Sequence, residues 1–244
     1  MPHTRTMAGV LIVGLLLIAP TGSARADAPE GLYVGLDAGL AWTANLTYYS
    51  TYGNCAVYPY YACGYNAYNA VTYNLGYAAG AQLGYAMGGP RVELEFTYRT
   101  NNANTIATAS GTQSATGSLS AKALLVNLLY DFDTASEWVP YVGVGIGAAD
   151  VSANQIHAAS ATGLSGYLDG SSTKFAAQFI LGVEYQASQK FGVFIDWRGL
   201  WANGTTFNYG YGCPAGSTTG CAQTGNTSYG YWNGALDVGV HVRF

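Results

Sequence analysis

Charge is scarce in this chain: only 9% of its 244 residues are Asp, Glu, Lys or Arg, against about a quarter in an ordinary soluble domain. The 9 basic residues are outnumbered by 13 acidic ones. No basic surface is available to neutralise a phosphate backbone, which excludes a nucleic-acid partner. Long apolar runs are also few. The clearest, residues 10–18, is too short to cross a bilayer as a helix, which takes about 20 residues, and nothing downstream is longer. The four cysteines have no Cys-x-x-Cys spacing and no neighbouring histidines, so they make a poor zinc centre. No Gly-x-Ser-x-Gly elbow occurs, and a hydrolase or acyltransferase would need a base beside its nucleophile.

What remains is half apolar, rich in glycine (33) and tyrosine (21), and strongly patterned at both ends. Residues 1–26 have a basic start at Arg5, the apolar run, and then Ala24-Arg25-Ala26 as a small-x-small cleavage site; together these read as a secretory signal peptide. At the other end Trp232, Leu236, Val238, Val240, Val242 and Phe244 occupy alternate positions, while Asn233, Asp237, His241 and Arg243 share the opposite face. A period of two is a strand with one apolar and one polar side. An exported, half-apolar chain without helical spans can still enter a membrane as a closed barrel, in which every backbone polar group is paired internally.

Eight alternating segments fall at residues 32–42, 71–85, 91–99, 122–132, 141–148, 174–185, 191–201 and 232–244. The connections alternate in length: 88–90, 131–140 and 187–190 are turns, whereas 43–70, 100–121, 149–173 and 202–231 are long. The expected fold is therefore all-β, an eight-stranded antiparallel transmembrane up-and-down β-barrel with four long extracellular loops and short periplasmic turns. With the N-terminus on the turn side, Tyr85, Tyr130, Phe132, Trp138, Tyr185, Phe191 and Phe244 make a lower aromatic girdle. Trp42, Tyr73, Tyr98, Phe175, Trp201 and Trp232 make an upper one. A soluble lipocalin-like barrel or sandwich shows similar alternation but buries its apolar face and rarely ends on Phe. Residues 27–244 are read as one barrel domain.

Facing the apolar positions outward turns Asp37, Gln82, Arg91, Glu93, Glu95, Arg99, Asn127, Lys174, Gln178, Glu184, Asp196, Arg198, Asp237, His241 and Arg243 toward the axis. An eight-stranded barrel is just wide enough to be filled by such side chains, and carboxylates and guanidinium groups should pair there because an unpaired buried charge is costly. The expectation is a plugged lumen. Inward glycines such as Gly35, Gly39, Gly80, Gly84, Gly145 and Gly239 permit close packing of the larger side chains and leave room for water pockets. Gly143, Gly145 and Gly147 have the wrong spacing for a dinucleotide fingerprint, and no helix follows.

Cys55 and Cys63 lie in the first long loop and Cys213 and Cys221 in the fourth. Export favours disulfides; local pairing within each loop and a staple between the two loops both remain open. The same loops concentrate tyrosine among Asn, Ser and Gly, with Tyr48, Tyr49, Tyr52, Tyr58, Tyr60, Tyr61, Tyr65 and Tyr68 in the first. That composition suits adaptable contact surfaces for a host or cell-surface ligand, and equally suits rings that extend the barrel wall. His157, with Ser160 or Ser165 and Asp169, supplies the residue types of a triad in the third loop.

The strand from Gly31 to Gly35, the segment from Asn127 to Phe132, Pro140-Tyr141-Val142-Gly143-Val144-Gly145-Ile146-Gly147, and the strands 174–185 and 191–198 with Asp196-Trp197-Arg198 resemble the outer-membrane β-barrel family of opacity-type porins and the OmpA-like membrane domain. The resemblance implies a small Gram-negative surface barrel with roles in adhesion, envelope integrity or minor pore activity. On that reading the partners are outer-membrane lipids, lipopolysaccharide and the barrel-assembly machinery, with Phe244 as assembly signal; the barrel is a monomer without cofactor or catalytic site. A structural or adhesive surface role leads, a narrow passive pore for small solutes is the alternative, and a lipid-modifying enzyme is third.

Overall fold

The computed structural model describes residues 30–52, 65–108, 111–158, 165–212 and 223–244. Residues 1–29, which include the segment expected to be a signal peptide, and all four cysteines lie outside the described residues. The described residues form ten strands: β1 (Glu30–Thr43), β2 (Leu46–Tyr52), β3 (Tyr65–Tyr73), β4 (Gly76–Met87), β5 (Pro90–Thr108), β6 (Gly111–Asp131), β7 (Trp138–Ala158), β8 (Ser165–Gln186), β9 (Phe191–Gly212) and β10 (Gln223–Arg243). Eight of them, β1-β4-β5-β6-β7-β8-β9-β10, form an antiparallel ring. The ring closes where β10 pairs β1, from Tyr33 opposite Arg243 to Thr43 opposite Asn233. Every ring strand thus has two partners, which is how a sheet can stand in hydrocarbon without an open edge. No helix among the described residues is long and apolar enough to cross a membrane.

The alternation sorts side chains as the sequence predicts. On β1 Leu32, Val34, Leu36, Leu40 and Trp42 face outward, Leu36 being 62% exposed, while Tyr33 is buried inside. The same holds for Leu124, Val126, Leu128 and Tyr130 on β6 and for Val144 and Ile146 on β7. So large a continuous apolar belt would drive aggregation in water; it demands lipid. The turn end is closed by short connections. Between β4 and β5, Gly88 and Gly89 adopt φ of +71° and +137°, a left-handed stretch that side chains resist. Between β6 and β7 the Asp133 carboxylate accepts the Ala135 N–H at 3.0 Å.

The loop end departs from expectation. Most of the residues assigned to long loops are strand: β5 and β6 remain paired up to Thr108 opposite Gly111, and β7 and β8 up to Ala158 opposite Gly166. The first long connection contains a hairpin of its own, β2 with β3, and β3 continues onto β5 from Ala70 opposite Ala107. The barrel wall therefore rises well past the upper aromatics. The reason lies in the composition of these segments, whose Ser, Thr, Asn and Ala alternate as regularly as the membrane residues but with little hydrophobic contrast, so that they pass for loop.

Candidate functional site: a lumen filled in two ways

The membrane half of the lumen is filled by ion pairs in two layers. Near the turn end, Arg91 lies 3.0 Å from Asp131 and 3.6 Å from Glu184, and its guanidinium sits over the rings of Tyr33 and Tyr141 at 5.6 and 4.7 Å from their centroids. Glu184 also meets His241 Nδ1 at 2.8 Å and the Arg243 guanidinium. One layer up, Arg198 holds Glu95 at 2.8 Å and Asp196 at 2.9 Å. Asn127 donates to Glu93 and Glu95 at 2.9 and 2.7 Å. The Tyr33 hydroxyl donates to Glu93 and that of Tyr141 to Asp196, at 2.9 and 2.8 Å. These side chains reach across because glycine lies beneath them. A Cβ on Gly84 would collide with the Tyr33 ring, and one on Gly182 with Tyr141 and Asp196.

Arg99 ends the polar stack. Fully buried, it donates to the Arg198 carbonyl at 3.1 Å, to the carbonyl and side-chain oxygens of Asn233 at 3.2 and 3.3 Å, and to Gln178 Oε1 at 3.0 Å. Asn101 continues the layer by donating to the Ala41 and Asn74 carbonyls at 2.8 and 3.0 Å. Above it the filling changes character. Leu46, Val71, Ile106, Leu119, Val151, Ile156, Leu168, Leu200, Phe207 and Tyr231 form one buried apolar cluster.

The outer face inverts at the same height. Along β7, Val144, Ile146 and Ala148 point out, then Asp150, Ser152 and Asn154 take their places while Ala149, Val151 and Ala153 turn inward. A bulge preserves the inside for Ile156: Gln155, at φ +44°, is the extra residue, and its N–H is held by the Asp169 carboxylate at 3.2 Å. Just past the last β1–β10 pair, the Tyr229 hydroxyl donates to the Ala44 carbonyl at 3.0 Å. Burial pushes that phenol up to about 12, so it remains a donor.

Of the residues assigned to the lumen from sequence, Arg91, Glu93, Glu95, Arg99, Glu184, Asp196, Arg198, Asp237, His241 and Arg243 are buried inside. Asp37 is half-buried there and accepts from Gln82 Nε2. Lys174, also half-buried, lies opposite Ala149 above the stack and outside its ion pairs. The expected pairing of carboxylates with guanidinium groups holds for Arg91, Arg198 and Arg243, whereas Asp37, Asp237 and Arg99 make no such pair among the described residues. Tyr73 is likewise corrected: it packs on the upper apolar cluster, and Tyr77, exposed and 6.1 Å from Tyr98, stands in the girdle. Sequence reasoning missed Tyr33, Asn101, Asp131 and Tyr141. Their parity was the available signal, since Tyr33 shares a face with Asp37 and Tyr141 with Gly143. The cysteines Cys55, Cys63, Cys213 and Cys221 lie outside the described residues; Phe244 is exposed, and its N–H donates to the Leu32 carbonyl. His157 is an exposed residue of β7 beside Tyr167, with ring centroids 6.4 Å apart.

The closed ring, the lipid-facing belt and the polar membrane core agree with the family comparison: the model for the outer membrane protein beta-barrel domain matches residues 11–244. The chain belongs to that family. No curated protein matches it. Among solved structures, this outer-membrane barrel is similar to Neisserial surface protein A, at 17% identity and TM-score 0.52, over 89% of this chain and 99% of that one. It is also similar to OprG from Pseudomonas aeruginosa, at 12% identity and TM-score 0.55, again over 89% and 99%. At such identities the likeness shows the fold. The outer membrane is where a barrel of this family resides.

Proposed function

We propose that this barrel is a non-conducting surface protein of a Gram-negative outer membrane, exported by residues 1–26, whose membrane half anchors a rigid strand-built projection used for contact with a host or cell-surface ligand. One observation supports this above the others: the lumen is filled twice, by ion pairs within the belt and by apolar side chains above it. A solute path would have to cross both. The wall above the belt offers Asn102, Asn104, Asn154, Thr173, Thr206 and Asn208 to solvent, a polar surface suited to adaptable hydrogen bonding. Lipids and lipopolysaccharide surround the belt, and disulfides among the loop cysteines would stiffen the rim.

Planar-bilayer recording of the refolded chain tests the reading. Silence in the wild type, persisting in Asp196→Ala and Arg198→Ala, is the expected result, because the apolar plug remains. Stable channels in the wild type that change with either substitution would establish the pore instead. Adhesion assays on cells displaying the full chain then read the surface role directly.

A further inference from the structure

Among the described residues, one ladder of the ring is broken by more than a bulge. Along the others, pairing lapses over at most three residues of a strand. Between β8 and β9 it lapses over residues 170–175 of one strand and 203–207 of the other, from Asp169 opposite Asn208 down to Ala176 opposite Ala202. Through this stretch β8 stays on β7, with Ser172 opposite Val151 and Thr173 opposite Asp150, and β9 stays on β10, with Thr205 opposite Tyr229. Each strand keeps its far neighbour, so the two part from each other. Gly170 and Gly204, at φ of +122° and +69°, supply the backbone turns that the parting needs.

Exposure shows that the parting is a window in the wall. Inward positions of β8 are sealed above and below it, Leu168 at 1% and Ala176 at 0% exposed. Between them the inward Ser172 and Lys174 are only half-buried, although their cross-strand neighbours Val151 and Ala149 are fully buried. The lumen above is closed by Ile156, Leu168 and Phe207, so solvent reaches these two side chains from the side. Among the described residues Lys174 has no ion-pair partner. Its ammonium finds no acceptor in the apolar cluster beside it, and its long stem carries the charge to the opening.

Donors gather there. Gly170-Ser171-Ser172-Thr173-Lys174 brings one ammonium and three hydroxyls within five residues, and the backbone N–H groups that would have joined β8 to β9 face the same gap. The two nearby carboxylates are engaged: Asp150, on the outer face, accepts from the Thr173 hydroxyl at 3.3 Å and lies opposite Lys122, and Asp169 accepts the Gln155 N–H at 3.2 Å. Height narrows the ligand. Phe175 and Trp201, exposed on the outer face immediately below the window, belong to the aromatic girdle that marks the lipid headgroups.

We propose that Lys174, Ser172 and the unpaired backbone between β8 and β9 bind a phosphate group, that of an outer-leaflet lipid. A phosphate presents three strong acceptor oxygens and a charge of roughly −1.5 to −2, which a cluster of donors around one ammonium complements. The site stands independently of the contact role proposed above, since it needs only a barrel placed in the membrane.

The test uses the refolded full chain in dodecyl maltoside, an uncharged detergent, and native mass spectrometry to count bound lipid. Wild type should retain lipid A carrying its phosphates and release the dephosphorylated form. Lys174→Met keeps the stem and removes the charge, and should weaken retention about 10- to 100-fold; Lys174→Arg should restore most of it. Lys190→Met, at the exposed turn end, should leave retention unchanged. Inorganic phosphate then separates the two sources of the group. Displacement of the lipid by phosphate would show that the anion alone suffices, and retention against it that the lipid is the ligand; either result supports the site. Ser172→Ala gives a second reading should Lys174→Met fail to refold. Wild type that retains neither lipid, equal retention of both forms, or binding that survives both substitutions would overturn the proposal.

Discussion

The two halves of this barrel obey opposite rules. Within the belt the outside is apolar and the inside carries Arg91, Arg198, Glu95 and Asp196; above it the inside is Leu119, Val151 and Ile156 and the outside Ser, Thr and Asn. The ring is one continuous sheet, yet each half is arranged for its own solvent. In hydrocarbon the favourable exterior is apolar, and the polar groups are left to satisfy one another inside. In water the hydrophobic effect draws the apolar face inward. Arg99 and its hydrogen-bonded neighbours mark the change of filling.

The comparison can be broken most severely in the membrane half. Arg198→Ala leaves Glu95 and Asp196 without their cation, and loss of one partner of a buried pair costs roughly 3–5 kcal/mol; urea unfolding in lipid vesicles should show it. An Arg198→Ala barrel as stable as the wild type would mean that water, and not the ion pairs, fills the lumen. In the upper half Ile156→Ala should cost about 2–4 kcal/mol by leaving a cavity in a dry core, and proteolysis should then nick the projection while the belt stays folded. If that variant instead unfolds the belt, the halves are one cooperative unit. Val144→Lys places a charge in the lipid belt and should cost about 2–4 kcal/mol near the midplane, whereas a lysine at Asn154, outside the belt, should change stability by less than about 0.5 kcal/mol. Equal penalties at the two positions would remove the proposed boundary. The smallest effect belongs to His157→Ala: phospholipid and lipopolysaccharide turnover should be the same as wild type, because the Asp169 carboxylate is engaged by Gln155.

Much of the membrane half was legible beforehand. Alternation along residues 232–244 and 32–42 gave the lipid face, and with it the inward set that includes Arg91, Glu184 and Asp196. Some of their partners are harder to see. Asp131 reads as a turn residue because it sits at a strand end, and Tyr33 and Tyr141 fall at inward parity but, being aromatic, do not stand out among the charged residues of that face. The upper half was misread as loop. Its strands have weak hydrophobic contrast, and the small apolar residues that fill them, such as Ala121, Ala149 and Ala202, carry little signal singly.

The period of two belongs to the sequence alone, because successive side chains of any extended strand point to opposite faces whatever surrounds it. Which face meets which solvent does not. Along β7 the apolar parity changes sides between Ala148 and Ala149, a change that a linear pattern shows only as fading contrast. Ring closure and strand register decided it, by bringing Arg198 to Glu95 and Arg91 to Glu184, setting Asp237 beside Asp37, and gathering Leu46, Ile156 and Phe207 from distant strands into one dry core. Contacts between residues so far apart in the chain exist only once the sheet has closed.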